Sequence, residues 1–342
     1  MGSQDSDQKV ESSQIENGNN TARPGFGSKV KRHCARFWWL HLIIFCVVFL
    51  LIALLLVYVG MPKIAQHDVN RSSLEFRELD FLDPTPNTIS LTQLGVLHNP
   101  STFTPTLDAF NATLSLVTGG VVANTSFFNI EIPKIHAKGD TDVPIRNQLI
   151  TVTDMDQLTQ YCIAVLQNEE VTTHLDGRTK LHLGALPTVK VNYRESTTYK
   201  ALNGLKGFNV TDALIDLSVR AGQPNFRGNA SIPNPSVMTI AMGNVTLSLA
   251  TEAKGVVGNA TINNMTLRPG LNILPMQAVI DQALVLGSLD AATGLVEMKI
   301  TGTSAVYNGQ NLPYYEEALK SNVLSLSLNV AQILKDSAAA AA

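Results

Sequence analysis

Asn111-Ala-Thr-Leu-Ser-Leu116 returns 133 residues later as Asn244-Val-Thr-Leu-Ser-Leu249. In both segments Asn, Thr and Ser alternate with Ala or Val, Leu and Leu, the period of two that puts apolar side chains on one face of a strand. One face is core and the other is wet. The strand does not recur alone. Asn99-Pro100-Ser101 precedes it and Asn234-Pro235-Ser236 precedes its copy; Gly120-Val-Val-Ala-Asn124 follows it and Gly255-Val-Val-Gly-Asn259 follows the copy, both at an offset of 135. Three matches in the same order define a duplicated unit. Gly177, Gly184 and Leu186-Pro187 recur as Gly302, Gly309 and Leu312-Pro313 at offsets of 125 or 126, so the second copy has lost about one loop.

Other alternating runs cover residues 149–153, 179–183, 188–193, 214–219, 237–242, 296–301 and 323–330. Gly119-Gly120, Lys138-Gly139-Asp140, Asp176-Gly177, Pro224-Asn225 and Asn308-Gly309 read as turns between them. Helical spacing predicts a helix over 154–169 with Asp154 as its N-cap, and a weaker one over 275–286 at the matching place in the second copy. The expected fold class is therefore all-β beyond the membrane segment: two tandem β-sandwiches, each with a short helix, at 72–210 and 211–337. Residues 60–71 read as a stalk and 338–342 as a frayed tail.

Residues 37–59 read FWWLHLIIFCVVFLLIALLLVYV, 23 residues without a formal charge. As a helix such a run reaches about 34 Å, enough to cross a bilayer core. Trp38, Trp39 and Tyr58 sit at its ends, where interfacial aromatics belong. Lys29, Lys31, Arg32 and Arg36 precede it and Lys63 follows it, a bias that orients the N-terminus to the cytosol and makes the span a retained type II signal anchor. The run is too long for a cleaved signal peptide and lacks an Ala-x-Ala site. Residues 1–36 then form a polar, disordered cytosolic tail with a basic segment beside the membrane. Gly2 opens a loose myristoylation pattern, and Cys34 is a juxtamembrane candidate for palmitoylation.

The triplet N-x-S/T tests that topology. After the span, Asn70, Asn111, Asn124, Asn209, Asn229, Asn244, Asn259 and Asn264 head acceptor triplets and are expected to carry N-glycans. Asn19 heads another on the cytosolic side, out of the transferase's reach. Of three cysteines only Cys162 lies beyond the span, so an intramolecular disulfide there is excluded and the body must be held by its cores. From residue 60 onward 19 Lys and Arg face 24 Asp and Glu, a mild net −5 without blocks, which argues against nucleic acid.

The Asn-Pro-Ser signal between strands, the single helix interrupting the strands and the later Gly-containing strand pair resemble the late embryogenesis abundant type 2 family, also called the water-stress and hypersensitive-response domain. The second copy, with SIPNPSVMTIAMGNVTLSL and GVVGNATINNMTLRPG, is similar to a fungal branch found in tandem in vacuolar type II membrane proteins. The resemblance implies fibronectin-like sandwiches and no enzymatic activity. It further implies a lipid or protein partner, with an apolar groove between sheets as a lipid site, at the vacuolar membrane or else at the plasma membrane or endoplasmic reticulum. A structural or stress-protective glycosylated surface protein is the alternative.

Searches for catalytic elbows, zinc helices and phosphate loops fail. His174 and His182 flank Asp176, and a hairpin at Gly177 would bring them together for a metal, but the second copy carries Met298 and Tyr307 at these places. Asp140 and Asp142 flank a turn and could serve a hydrolase, although a solvated turn explains them better. The expectation is no catalytic residue, no metal and no cofactor.

Overall fold

The computed structural model describes residues 26–220 and 222–341, with the side chains of 38–220 and 222–340. Gly2 lies outside the described residues. Helix α1 spans Phe26–Leu55, and a π-helical turn covers Leu56–Gly60. This is a helix long and apolar enough to cross a membrane. It starts eleven residues before the apolar run, so Lys29, Lys31, Arg32, Cys34 and Arg36 stand on helical backbone, with side chains outside the described residues. Extending a helix costs far less than nucleating one, which is why it runs back into the basic segment expected to be disordered.

The chain divides after Leu56, and residues 57–341 form a second unit, mostly β. It opens with α2 (Met61–Val69). Its first half continues with β1 (Ser73–Leu82), β2 (Thr88–His98), β3 (Thr106–Leu107), β4 (Phe110–Thr118), β5 (Val121–Val122), β6 (Phe128–Ile132), β7 (Ile135–His136), β8 (Asp140–Thr151), α3 (Met155–Gln167), β9 (Glu170–His182) and β10 (Val189–Lys200). Its second half comprises β11 (Asn209–Ile215), β12 (Phe226–Asn234), β13 (Met238–Thr251), β14 (Gly255–Leu267), β15 (Gly270–Ile280), α4 (Gln282–Leu286), β16 (Leu295–Tyr307), β17 (Gln310–Asn311), α5 (Pro313–Ser321), β18 (Val323–Asn329) and α6 (Val330–Ala341).

The alternation in the opening quotation holds except at Ser115, which is buried where the wet face was expected. Ala112, Leu114 and Leu116 are buried and Asn111 and Thr113 exposed; Val245, Leu247 and Leu249 are buried and Asn244 exposed. Leu247→Asp is therefore expected to destabilise the body by roughly 4 kcal/mol or more, since it buries an unpaired charge. A thermal melt of the variant checks it.

The two Asn-Pro-Ser triplets are turns built from the Asn side chain. Asn99 Oδ1 accepts from Ser101 N–H (3.1 Å), and buried Asn234 Oδ1 accepts from Ser236 N–H (2.9 Å) while its Nδ2 donates to Met238 O (2.8 Å). Proline removes one donor and the side chain satisfies another, so the chain can turn out of one strand and into the next: from β2 into the separate sheet of β3 in the first copy, and from β12 to β13 within one sheet in the second.

The copies differ in closure. In the first, β1, β2 and β8 pair as one group, while β4, β6, β9 and β10 belong to a separate sheet. In the second, β14 pairs with both β13 and β15, so its strands run as one sheet from β18 to β11. Gly258 permits this: a Cβ there would lie 2.3 Å from Val279 O. The aligned residue in the first copy is Ala123, whose Cβ would fill that space, and β5 and β6 there take β4 as their strand partner.

The halves are not two free modules. β1 pairs in parallel with β13 (Leu79 with Met238, Phe81 with Ile240), so one eleven-stranded sheet crosses from copy to copy. Helix α5 lies against α3 across the same junction. The shortening of the second copy falls on the matching helix, 13 residues in α3 but 5 in α4. Tyr314 Oη donates to Thr85 O (2.9 Å), Tyr307 Oη to Asp83 Oδ1 (2.8 Å), and Gln167 Nε2 to Ser321 O (2.8 Å). Phe127 stacks on Tyr161 with centroids 4.6 Å apart.

Several expectations need correction. Residues 275–286 are not one helix; β15 occupies the first half of them and only the five residues of α4 are helical, with Asp281 capping α4 by accepting from Ala283 and Leu284 N–H. The stalk at 60–71 contains α2, which buries Ala65 and Val69 on the first copy and clamps the β10 backbone with Gln66. The tail at 338–342 largely belongs to α6, tied down by Ser337 Oγ accepting from Ile215 N–H (2.8 Å). Asp154 caps α3 as expected, accepting from Gln157 N–H at 3.0 Å.

Candidate functional site

The metal reading fails on geometry. Gly177 lies inside straight β9, where a Cβ would come within 2.6 Å of the Phe110 ring; it is a packing glycine, not a turn. Its copy Gly302 does the same service for Leu319, at 2.5 Å. His174 and His182 are eight residues apart on one strand, about 26 Å at the usual rise. His174 bonds Ser196 Oγ (2.8 Å), Asp176 pairs with Arg194 (3.1 Å) and His182 with Asp108 (2.9 Å). Among the described residues no three His, Cys, Asp or Glu side chains group to hold a metal.

Asp140 and Asp142 are exposed and singly partnered, by His98 (2.8 Å) and Arg77 (3.9 Å). Cys162 is buried, and burial pushes its thiol far above the ordinary range, the opposite of what a nucleophile requires. Tyr199, buried with its hydroxyl 3.0 Å from that of Tyr161, is pushed up to about 12 by the same desolvation.

The acceptor asparagines are placed on the outside. Asn70, Asn111, Asn124, Asn209, Asn244, Asn259 and Asn264 are exposed, and Asn229 is half-buried with its Nδ2 donating to Asp212 (2.9 Å). The matched pairs Asn111 with Asn244 and Asn124 with Asn259 stand at corresponding places on the two copies. Two apolar cavities inside the body hold about 30 Å³ each, one by Leu158, Cys162 and Met238 and one by Phe226, Met276 and Ile333. A cavity of that size takes roughly one water and no acyl chain. The larger hollows, about 400 and 640 Å³, are open surface features lined in part by Asp212 and Arg227, and by Asp216 and Leu217.

One cluster escaped the sequence reading because it joins four distant segments. At the end where the chain enters the body, Ser73, His98 and Asp140 share adjacent strand positions. His182 and His136 both pair with Thr106. Ala137 N–H donates to Pro105 O (2.9 Å), and Ser101 Oγ to Asp68 of α2 (2.8 Å). His98 lies between Asp140 (2.8 Å) and Glu75 (3.3 Å), and these hydrogen bonds, Asp140 first, raise its pKa above 6.5. Its contribution to stability is complete below about pH 6.5 and is lost as pH rises through the raised folded value. The Tm deficit of His98→Gln should accordingly be larger at about pH 5 than at about pH 8.

Residues 125–249 match the model of a family described as a protein of unknown function (DUF3712), a stretch crossing from the first copy into the second. No curated protein matches. Among solved structures, a red sea bream transglutaminase aligns over 75% of this chain at 10% identity with a TM-score of 0.25, and the chain spans 30% of that protein's length. The CupB6 tip adhesin from Pseudomonas aeruginosa aligns over 75% of this chain and 97% of its own at 9% identity and TM-score 0.19, and the periplasmic chaperone SfaE over the same shares at 9% identity and TM-score 0.16. Scores this low assign nothing to this chain.

Proposed function

We propose that the protein is a non-enzymatic, single-pass type II membrane glycoprotein whose tandem fibronectin-like sandwiches bind a lipid or a partner protein on their outer surface. The vacuolar membrane is the expected site. One observation carries the reading: all eight acceptor asparagines after the apolar helix lie outside the core, seven of them exposed. Exposure leaves the acceptor triplets of both copies within reach of the glycosylation machinery. Interior cavities of about 30 Å³ are too small for an acyl chain, which favours recognition on the surface over a groove between sheets. Endoglycosidase treatment of the full-length protein from a eukaryotic host is expected to lower its apparent mass by several glycans. An unshifted band overturns the reading.

A further inference from the structure

Of the eight acceptor asparagines after the apolar helix, Asn229 is the one that is not exposed. It lies mid-sheet on β12, with Thr211 of β11 paired to it on one side and Pro275 of β15 on the other. The first copy has no counterpart, since Leu94, Gly95 and Val96 stand at the repeat offsets. Its amide nitrogen, the atom to which a glycan is joined, donates to Asp212 Oδ2 at 2.9 Å. A bulge makes that bond. Thr211 pairs with Asn229 and Leu214 with Arg227, so three steps along β11 answer two along β12, and Asp212 takes up the difference with φ at +50°. Asp enters the left-handed region more readily than most residues, and a bulge of this kind re-aims a side chain.

Asn229 borders a hollow of about 400 Å³ on the outer face of the sheet. Its lining follows from the strand register. Arg227, Gln277 and Thr261 stand side by side on β12, β15 and β14 as one cross-strand row. Asn229 and Pro275 form the next row, and Asn263 stands one residue past the last pair between β14 and β15. The hollow thus offers a guanidinium, two side-chain amides and a hydroxyl around a proline ring. These are partners for sugar hydroxyls and an acetamide, with an apolar surface for a ring face. Its volume falls among those of clefts that take small ligands, about 300–1,000 Å³.

We propose that the glycan joined to Asn229 lies in this hollow, its first N-acetylglucosamine bound by Arg227, Gln277, Thr261 and Asn263 while Asp212 holds the linking amide. This placement rests on the reading that the acceptor triplets are used. In the transfer, C1 of the first sugar leaves the phosphate oxygen of a lipid pyrophosphate donor and bonds to Asn229 Nδ2. The pyrophosphate keeps the electron pair of the broken bond and one amide proton is lost. The second amide hydrogen remains for Asp212, so the bond that fixes the side chain also fixes the direction in which the sugar leaves it. A sugar joined directly to a half-buried nitrogen lies against the side chains around that nitrogen, here the polar lining of the hollow. The other seven acceptors are exposed, and their glycans extend into solvent.

The test uses the full-length protein from a eukaryotic host, treated with peptide-N-glycosidase in the native state and after denaturation, with release followed site by site by glycopeptide mass spectrometry. In the native protein Asn229 should lose its glycan at least about tenfold more slowly than Asn259, an exposed acceptor on β14 of the same sheet, because the sugar has first to leave its hydrogen bonds. Denaturation should abolish the difference. Asp212→Gly suits the left-handed backbone and removes the carboxylate; Gln277→Ala with Asn263→Ala strips the hollow of its amides. Each change should raise the native rate at Asn229 towards that at Asn259 and leave Asn259 unaltered. A bare Asn229, or equal native rates at the two sites, overturns the proposal, while glycans at the remaining acceptors keep the type II reading standing. Bare asparagines at all eight positions overturn that reading together with the proposal.

Discussion

Leu158→Asp is expected to unfold both copies together. Leu158 sits on α3 of the first copy, is 1% exposed, and lines the apolar cavity that Tyr315, Leu319 and Met238 of the second copy close. A carboxylate there has no partner and no route to water, and the cost is roughly 4 kcal/mol or more, a large share of a domain's total stability. The damage spreads because the junction is shared. β1 pairs with β13, and Tyr314, Tyr307 and Gln167 bond across it. Limited proteolysis of the variant should leave no resistant fragment from either half. A stable fragment covering residues 209–341 would show that the second copy stands by itself and that the junction is only a contact.

Gly243→Val carries two separate costs. Gly243 holds φ at +76°, a left-handed conformation that costs a β-branched residue about 1–2 kcal/mol. A Cβ there would also lie 2.3 Å from Val306 O, which is backbone and cannot rotate away. Overpacking of this kind adds about 1–3 kcal/mol, so a loss of roughly 2–5 kcal/mol is expected. The break should fall between β13 and β16, at the register that places Val245 opposite Ala305. Hydrogen exchange resolves it: amides of β16 should lose protection first, while β4 and β9 of the first copy keep theirs until the body unfolds. A variant with wild-type Tm would refute the assigned geometry at Gly243.

Much of this architecture was legible in the repeats. Alternation around Leu114 and Leu247 identified core faces, Asp154 marked a helix start, and the two Asn-Pro-Ser triplets marked turns, because each is decided by neighbours within a few residues. The errors came where distant residues decide. Gly177 reads as a turn in isolation, yet it is glycine because Phe110 needs the space. Residues 275–286 contain helix formers, but strand pairing with β12 and β14 determines the first half of them. Helix α5 has no counterpart in the first copy, so comparison of the copies could not reveal it. Gly258, which stands where the first copy has Ala123, was visible in the aligned blocks, and its packing role was unreadable without the backbone of Val279 beside it. The histidine-rich end was hidden for the same reason. His67, His98, His136 and His182 are spread over more than a hundred residues, and only the pairing of β3 with β7 and β9 brings His136 and His182 together.

Site-resolved mapping of glycopeptides from the full-length protein tests the central claim most directly. The account predicts glycan on Asn111, Asn124, Asn244 and Asn259, the matched positions of the two copies, and an unmodified Asn19. Glycan on Asn19 with bare asparagines after the apolar helix would contradict it, because the body would then face the cytosol.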